Sequence, residues 1–214
     1  MPTANPAAEA ATDYPIATGY PRVRQPRLVR MTPRRCLAVD GDAAPGGPEF
    51  EAAMAALYGA AYSLQFLLRD RGVDAHTSAP EALWTRRIER DDWSEGPEAF
   101  DPSAWRWTLL IPIAQEATGE DIAQAIDKAR NRRPSAELDR LRVLDLDEGL
   151  VVEAMHVGPY ETEPETIARM REVAIEAGLT AHGAHHEVYL GDPRRTSPEN
   201  LRTVLRQPVR PAAA

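Results

Sequence analysis

Hydrophobic and polar positions alternate most clearly in the run His185-His186-Glu187-Val188-Tyr189-Leu190, which Gly191-Asp192-Pro193 brings to an end. A two-residue period predicts a β-strand with Val188 and Leu190 on one face and Glu187 and Tyr189 on the other. A carboxylate set among β-formers and beside an aromatic ring is costly to bury unless something uses it. Otherwise it belongs to a solvated strand edge.

The same period recurs along the chain. It predicts strands over 35–40, around Cys36, Leu37, Ala38 and Val39, and over 81–90, with Leu83, Trp84 and Ile88. A strand over 104–114 places Trp105, Trp107, Leu109 and Ile111 on one face and Thr108 and Leu110 on the other. Strands over 141–147 and 150–157 are joined by a tight Asp147-Glu148-Gly149 turn. In the second of these, Val152, Ala154 and His156 share one face, opposite Val151, Glu153, Met155 and Val157. A last strand is predicted over 203–209.

Three stretches switch to helical spacing. Over 49–71, Phe50, Met54, Leu57, Tyr58, Ala61, Leu64 and Leu68 form a stripe, with Gly47-Pro48 as the start and Gly72 as the stop. Tyr58 and Tyr62 lie four apart, neighbours on one flank. Over 118–131, Thr118 is cap-like with an acid three residues on, and Ile122, Ala125, Ile126 and Ala129 point inward. Thr162-Glu163-Pro164-Glu165 reads as a capping box opening a third helix, which continues through Ile167, Met170 and Ala174 to Gly178. The polar stretch 91–102 reads as a loop. Residues 22–35, where Arg and Pro alternate with apolar side chains, read as an extended arm.

The order of strand, glycine turn, long helix, strand and strand occurs twice. Gly41 before the first helix answers Gly158 before the third, and the Trp84 strand answers the strand of Glu187 and Tyr189. The strand of Trp107 answers the final strand. The fold class expected is α+β, with duplicated βαββ units, antiparallel sheets, helices on one side and an open concave sheet surface on the other. The domain expected spans 28–210, with pseudo-repeats at about 34–114 and 150–209 and a linking helix at about 118–131 inserted between them. A central ligand cleft at the seam is the natural small-molecule site.

Composition narrows the function classes. With 33 acidic against 25 basic residues the chain carries a net charge of −8, which argues against direct nucleic-acid binding. The apolar share of 43% favours a packed globular chain over disorder. Cys36 is the only cysteine, so no intramolecular disulfide forms, consistent with a cytoplasmic location. The Ala-, Pro- and Thr-rich start, within residues 1–27, is expected to be a flexible arm with no signal peptide, and no run is long enough to span a membrane. His182, His185 and His186 beside Glu187 suggest a metal site, yet His185 and His186 point oppositely on a strand, so no metal is expected. No cofactor motif is present.

Leu150 through Pro164 with its His156-Val157-Gly158-Pro159-Tyr160-Glu161-Thr162-Glu163 core, the run His186-Glu187-Val188-Tyr189-Leu190-Gly191-Asp192, and Leu201-Arg202-Thr203-Val204-Leu205-Arg206 occur in a specific order. With Glu81-Ala82-Leu83-Trp84 and Tyr58/Tyr62, this set resembles the stand-alone GyrI-like small-molecule-binding family, over about 28–209. The resemblance implies a cleft lined by aromatics with one acid at its floor, which in transcription regulators binds cationic aromatic drugs. Some stand-alone members look like hydrolases (the cyclopropanoid cyclopropyl hydrolase type) that open the cyclopropane ring of DNA-alkylating natural products, a detoxification or self-resistance activity. The residues ahead of Leu28 are too few for a helix-turn-helix domain, which speaks against the regulator form. Ala82 stands where the family commonly has Gly, and the extra tryptophan around Trp107 suggests a wider aromatic wall.

On that resemblance, Glu187 is expected to act as general base on a water, with its pKa raised, and Tyr160 to donate a hydrogen bond to the developing oxyanion. Trp84, Trp107, Tyr62, Tyr58 and Tyr189 are the expected ligand-stacking rings. His156 is either a second proton-transfer group or a strand histidine satisfied by a backbone carbonyl. The expected partner is a small aromatic ligand or genotoxin, on a monomer or homodimer. The alternatives are a non-catalytic binder of cationic drugs, for which Glu187 is the counter-charge, and an inhibitor that binds a topoisomerase.

Overall fold

The computed structural model describes residues 14–42, 45–86 and 105–212, leaving aside the side chains of Arg86 and Trp105. The expected loop over 91–102, Ile88, the direction of Trp105 and the first part of the N-terminal arm lie outside these residues. The described residues group into two compact units. Unit A takes 34–86 and 105–146, and unit B takes 14–33 and 147–212.

In unit A, strands β2 (Arg34–Gly41), β3 (Glu81–Arg86), β4 (Trp105–Pro112) and β5 (Arg142–Leu146) pair antiparallel in the order β3-β4-β2-β5. Helix α1 (Pro48–Asp70) packs on β2 and β4 and buries the apolar stripe Leu57, Ala60, Ala61, Leu64 and Leu68. It stops where Gly72 turns at φ +80, a backbone conformation that side chains with a Cβ resist. Cys36, Ala38 and Leu110 form a second buried cluster, with Leu83, Leu144 and Leu146 packed against it.

Helix α2 (Gly119–Arg132) was expected to link the halves, but it packs against α1 inside unit A. Gly59 of α1 faces Ala129 there: a Cβ at Gly59 would make ordinary contact with the Ala129 Cβ at 3.7 Å. Thr118 and Asp121 form the reciprocal capping box that the sequence indicates. The same Asp121 carboxylate accepts from Arg71 just beyond α1, tying the two helix ends together.

In unit B, β1 (Arg27–Arg30), β6 (Leu150–Val157), β8 (His185–Tyr189) and β9 (Arg202–Pro211) pair antiparallel in the order β8-β9-β6-β1, and β7 (Leu179–Ala181) pairs the far end of β9. This is the strand order of unit A repeated, so the duplicated βαββ reading holds strand for strand. Helix α3 (Glu163–Glu176) covers one face, where Val152, Ala154, Leu205 and Val209 meet Met170 and Ala174. The opposite face is not open in unit B: Val151, Met155, Val188 and Val204 are buried there.

That second face also buries charge. Glu153 accepts from Arg27 at 2.6 Å and from Arg206 at 2.9 Å, which supplies the hydrogen bonds a fully buried carboxylate needs. His186 meets Glu148 at 2.8 Å. The stretch ahead of β1, expected to be flexible, is tied to it by Arg30 N–H to Pro15 O and Ala17 N–H to Arg30 O, both 2.9 Å.

The start of α3 corrects one expectation. Thr162 ends a short 3-10 turn (Tyr160–Thr162) with near-helical φ −100 and ψ 0, and its side chain caps nothing in the helix. A capping residue needs an extended backbone to aim its oxygen at the next turn's N–H groups. Here the Thr162 hydroxyl donates backward to Pro159 O at 2.8 Å.

Candidate acid–base site in unit B

On β8, Glu187 and Tyr189 share one face, as the two-residue period requires, and the Tyr189 hydroxyl donates to Glu187 Oε2 at 2.7 Å. The register sets Glu187 opposite Leu205 and Tyr189 opposite Thr203, so both lie on the face that α3 covers. His185, on the same side, brings Nε2 to 3.6 Å from Glu187 Oε1. His186 points the other way, toward Glu148, so the two histidines diverge.

Two residues reach this face from the β6–α3 connection. After Gly158 turns the chain at φ +146, Tyr160 meets Tyr189 edge-on, with centroids 6.2 Å apart and planes at 83°. Glu163, the first residue of α3, is buried. Its Oε1 has no hydrogen-bond partner, while the Thr203 hydroxyl bonds its carboxyl group. Nothing in the linear pattern marked Glu163 as more than a helix-start acid. Only the failed cap, which turns it inward, separates it from Glu165.

Burial pushes the Glu163 carboxyl up to about 9, and the neighbouring charge of Glu187 adds to the rise, against the hydrogen bond from Thr203. It is therefore a neutral acid at pH 7. The Tyr160 hydroxyl is pushed up to about 12 by burial and by Glu163, Glu187 and Asp192, so it stays a donor. Burial brings His185 down to about 4, helped by His186, so it is neutral and forms no ion pair with Glu187 at pH 7. A carboxyl group held neutral beside a second carboxyl group and a phenol can take part in proton transfer.

His156 is hydrogen-bonded at both ring nitrogens. Its Nε2–H donates to Pro159 O at 3.2 Å, and its Nδ1 accepts from Thr166 at 2.9 Å. The Thr166 oxygen in turn accepts from Arg169 at 3.0 Å. Both ring nitrogens are thus engaged, and burial lowers its pKa.

The remaining expected residues belong to unit A. Trp84 and Trp107 are cross-strand partners on β3 and β4, and both are buried. Phe50 of α1 stacks on Trp84 at 6.4 Å and meets Trp107 edge-on at 5.3 Å. Gly41 leaves the Trp107 ring its seat, since a Cβ there would overlap the ring. Tyr58 and Tyr62 stack at 5.9 Å, and Tyr62 remains 47% exposed. The acid and the phenols are thus grouped in unit B, and the tryptophans and the tyrosine pair in unit A. Among the described residues, none of the helices is long and apolar enough to cross a membrane.

Comparison with known proteins follows this geometry. Residues 115–210 match the GyrI-like small molecule binding domain. An uncharacterized conserved protein from Listeria innocua is 31% identical, with a TM-score of 0.78 over 87% of this chain and 93% of that one. A hydrolase from Listeria innocua is 29% identical, with a TM-score of 0.74 over 94% and 96%. A second hydrolase from that organism is 31% identical, with a TM-score of 0.73 over 87% and 92%. No curated protein matches the sequence.

Proposed function

We propose, for a chain that belongs to the GyrI-like small-molecule-binding family, that it is a hydrolase whose acid–base pair is Glu163 and Glu187. The substrate class is an aromatic compound bearing a cyclopropane conjugated to a carbonyl, the reactive group of certain DNA-alkylating natural products. The biological role is then detoxification or self-resistance. The observation that carries this reading is a buried Glu163 carboxyl, one oxygen without a partner, on the same sheet face as Glu187 and Tyr160. The two hydrolases from Listeria innocua, at 29% and 31% identity, support the reaction class.

The steps balance as an addition of water. Glu187 takes a proton from the water as its oxygen attacks the ring carbon. The strained C–C bond breaks, and its electron pair moves through the conjugated system to the carbonyl oxygen. Tyr160 stabilises that oxyanion by hydrogen bonding, and the proton on Glu163 is given to it. Tyr189 holds Glu187 by its 2.7 Å bond, and Thr203 holds Glu163. Product release leaves one proton to pass from Glu187 back to Glu163.

The test uses a duocarmycin-type cyclopropane compound. Glu187→Gln is expected to keep binding it while ring opening falls by about 10²–10⁴-fold, the usual worth of a general base. Unchanged turnover in that variant contradicts the role.

A second reading has a specific support: Glu187 beside Tyr189 and Tyr160 is a counter-charge for a cationic aromatic ligand. A bound cation favours ionised Glu163, so dye affinity would rise with pH toward 9, whereas hydrolysis would fall as Glu163 loses its proton. The two readings therefore carry opposite pH slopes.

A further inference from the structure

A cavity of about 310 Å³ opens in unit B beside the β6–α3 connection, and the Glu163–Glu187 pair takes no part in lining it. Its walls include Arg24, His156, Gly158, Glu165, Arg169 and Glu199. Among the described residues, neither arginine forms an ion pair, although two carboxylates share the same cavity. The Arg169 guanidinium is held in place by its bond to Thr166, the hydroxyl that also bonds buried His156. Glu199 is held ionised by the Ser197 hydroxyl and its own backbone N–H. Gly158 keeps the floor open: a Cβ there would sit 3.2 Å from the Thr162 hydroxyl and 3.3 Å from His156 Nε2.

Charges of both signs around one cavity, without ion pairs between them, select the ligand by elimination. A bare anion would gain the two guanidiniums but face two carboxylates, and a bare cation would meet the reverse. We infer that this cavity is a second binding site, for a small zwitterion of the amino-acid class. Its carboxylate is received by Arg24 and Arg169, whose planar forks suit a carboxylate, and its ammonium by Glu165 and Glu199. The site stands apart from the proposed hydrolytic chemistry and does not depend on it.

Calorimetry on the full chain tests this with glycine, L-leucine and L-phenylalanine, which share one head group and grow in side chain. Inorganic phosphate and methylammonium serve as single-sign controls. At least one amino acid is expected to bind one to one. Arg169→Gln and Glu165→Gln are each expected to weaken it about tenfold or more, as loss of a charged hydrogen bond does. Both positions are exposed, so the substitutions leave the core intact. Glu187→Gln is expected to leave amino-acid binding unchanged. The inference is overturned if none of the three amino acids binds at millimolar concentration, if phosphate or methylammonium binds as tightly, or if Glu187→Gln abolishes binding.

Discussion

Glu163 and Glu187 lie on the same sheet face in different surroundings: Glu163 is buried with one oxygen unpartnered, and Glu187 accepts from Tyr189. Glu163 binds its proton up to about pH 9 in the folded chain and only to about 4.5 when unfolded. Between those values the folded state holds more protons, so this group's contribution to stability declines as pH rises through the window. Glu163→Gln is expected to remove that decline: urea unfolding at pH 5 and pH 8.5 should differ less in the variant than in the wild type. An unaltered difference would mean that Glu163 is not the proton-holding residue. Tyr189→Phe removes the donor to Glu187, and a several-fold loss of ring-opening rate with little change in ligand affinity is expected from turnover and binding measurements.

Elements place these residues, and most of the elements were readable in the sequence. The strand of Glu187 and Tyr189 and the three helices follow from period and turn chemistry, but the hairpin expected at Asp147-Glu148-Gly149 is not seen: among the described residues β5 pairs β2, and β6 pairs β1 and β9. What escaped was tertiary in origin. The short strand β7 is three residues long and carries too little pattern to show. Thr162 has the residue type of a cap, but the 3-10 turn before it gives it a helical backbone, and this turns Glu163 inward. Phe50 read as one more core position on α1, and only the contacts reveal that it anchors both Trp84 and Trp107. The same ring packing gives a stability prediction. Gly41→Ala would force its new methyl into the Trp107 ring, and a loss of about 1–3 kcal/mol is expected by chemical denaturation, with the tryptophan near-UV signal altered. A neutral substitution would show that the ring has room to move.

At the scale of the whole molecule, one strand order appears twice, as β3-β4-β2-β5 and as β8-β9-β6-β1, and the copies have diverged in what they hold. Strands β3 and β4 carry a cross-strand tryptophan pair in unit A, whereas β8 and β9 carry Glu187, Tyr189 and Thr203 in unit B. The sequence pattern showed this duplication because glycine turns and helix stripes recur at matching places. It did not show which copy held the buried Glu163 carboxyl and its surroundings, since pattern alone does not report depth. The mass of a recovered duocarmycin-type ligand most directly tests the proposed addition of water to a strained ring. Ligand incubated with the wild-type protein should return heavier by one water, and ligand incubated with Glu187→Gln should return unaltered. Unaltered ligand from the wild type, or equal conversion by both proteins, would contradict it.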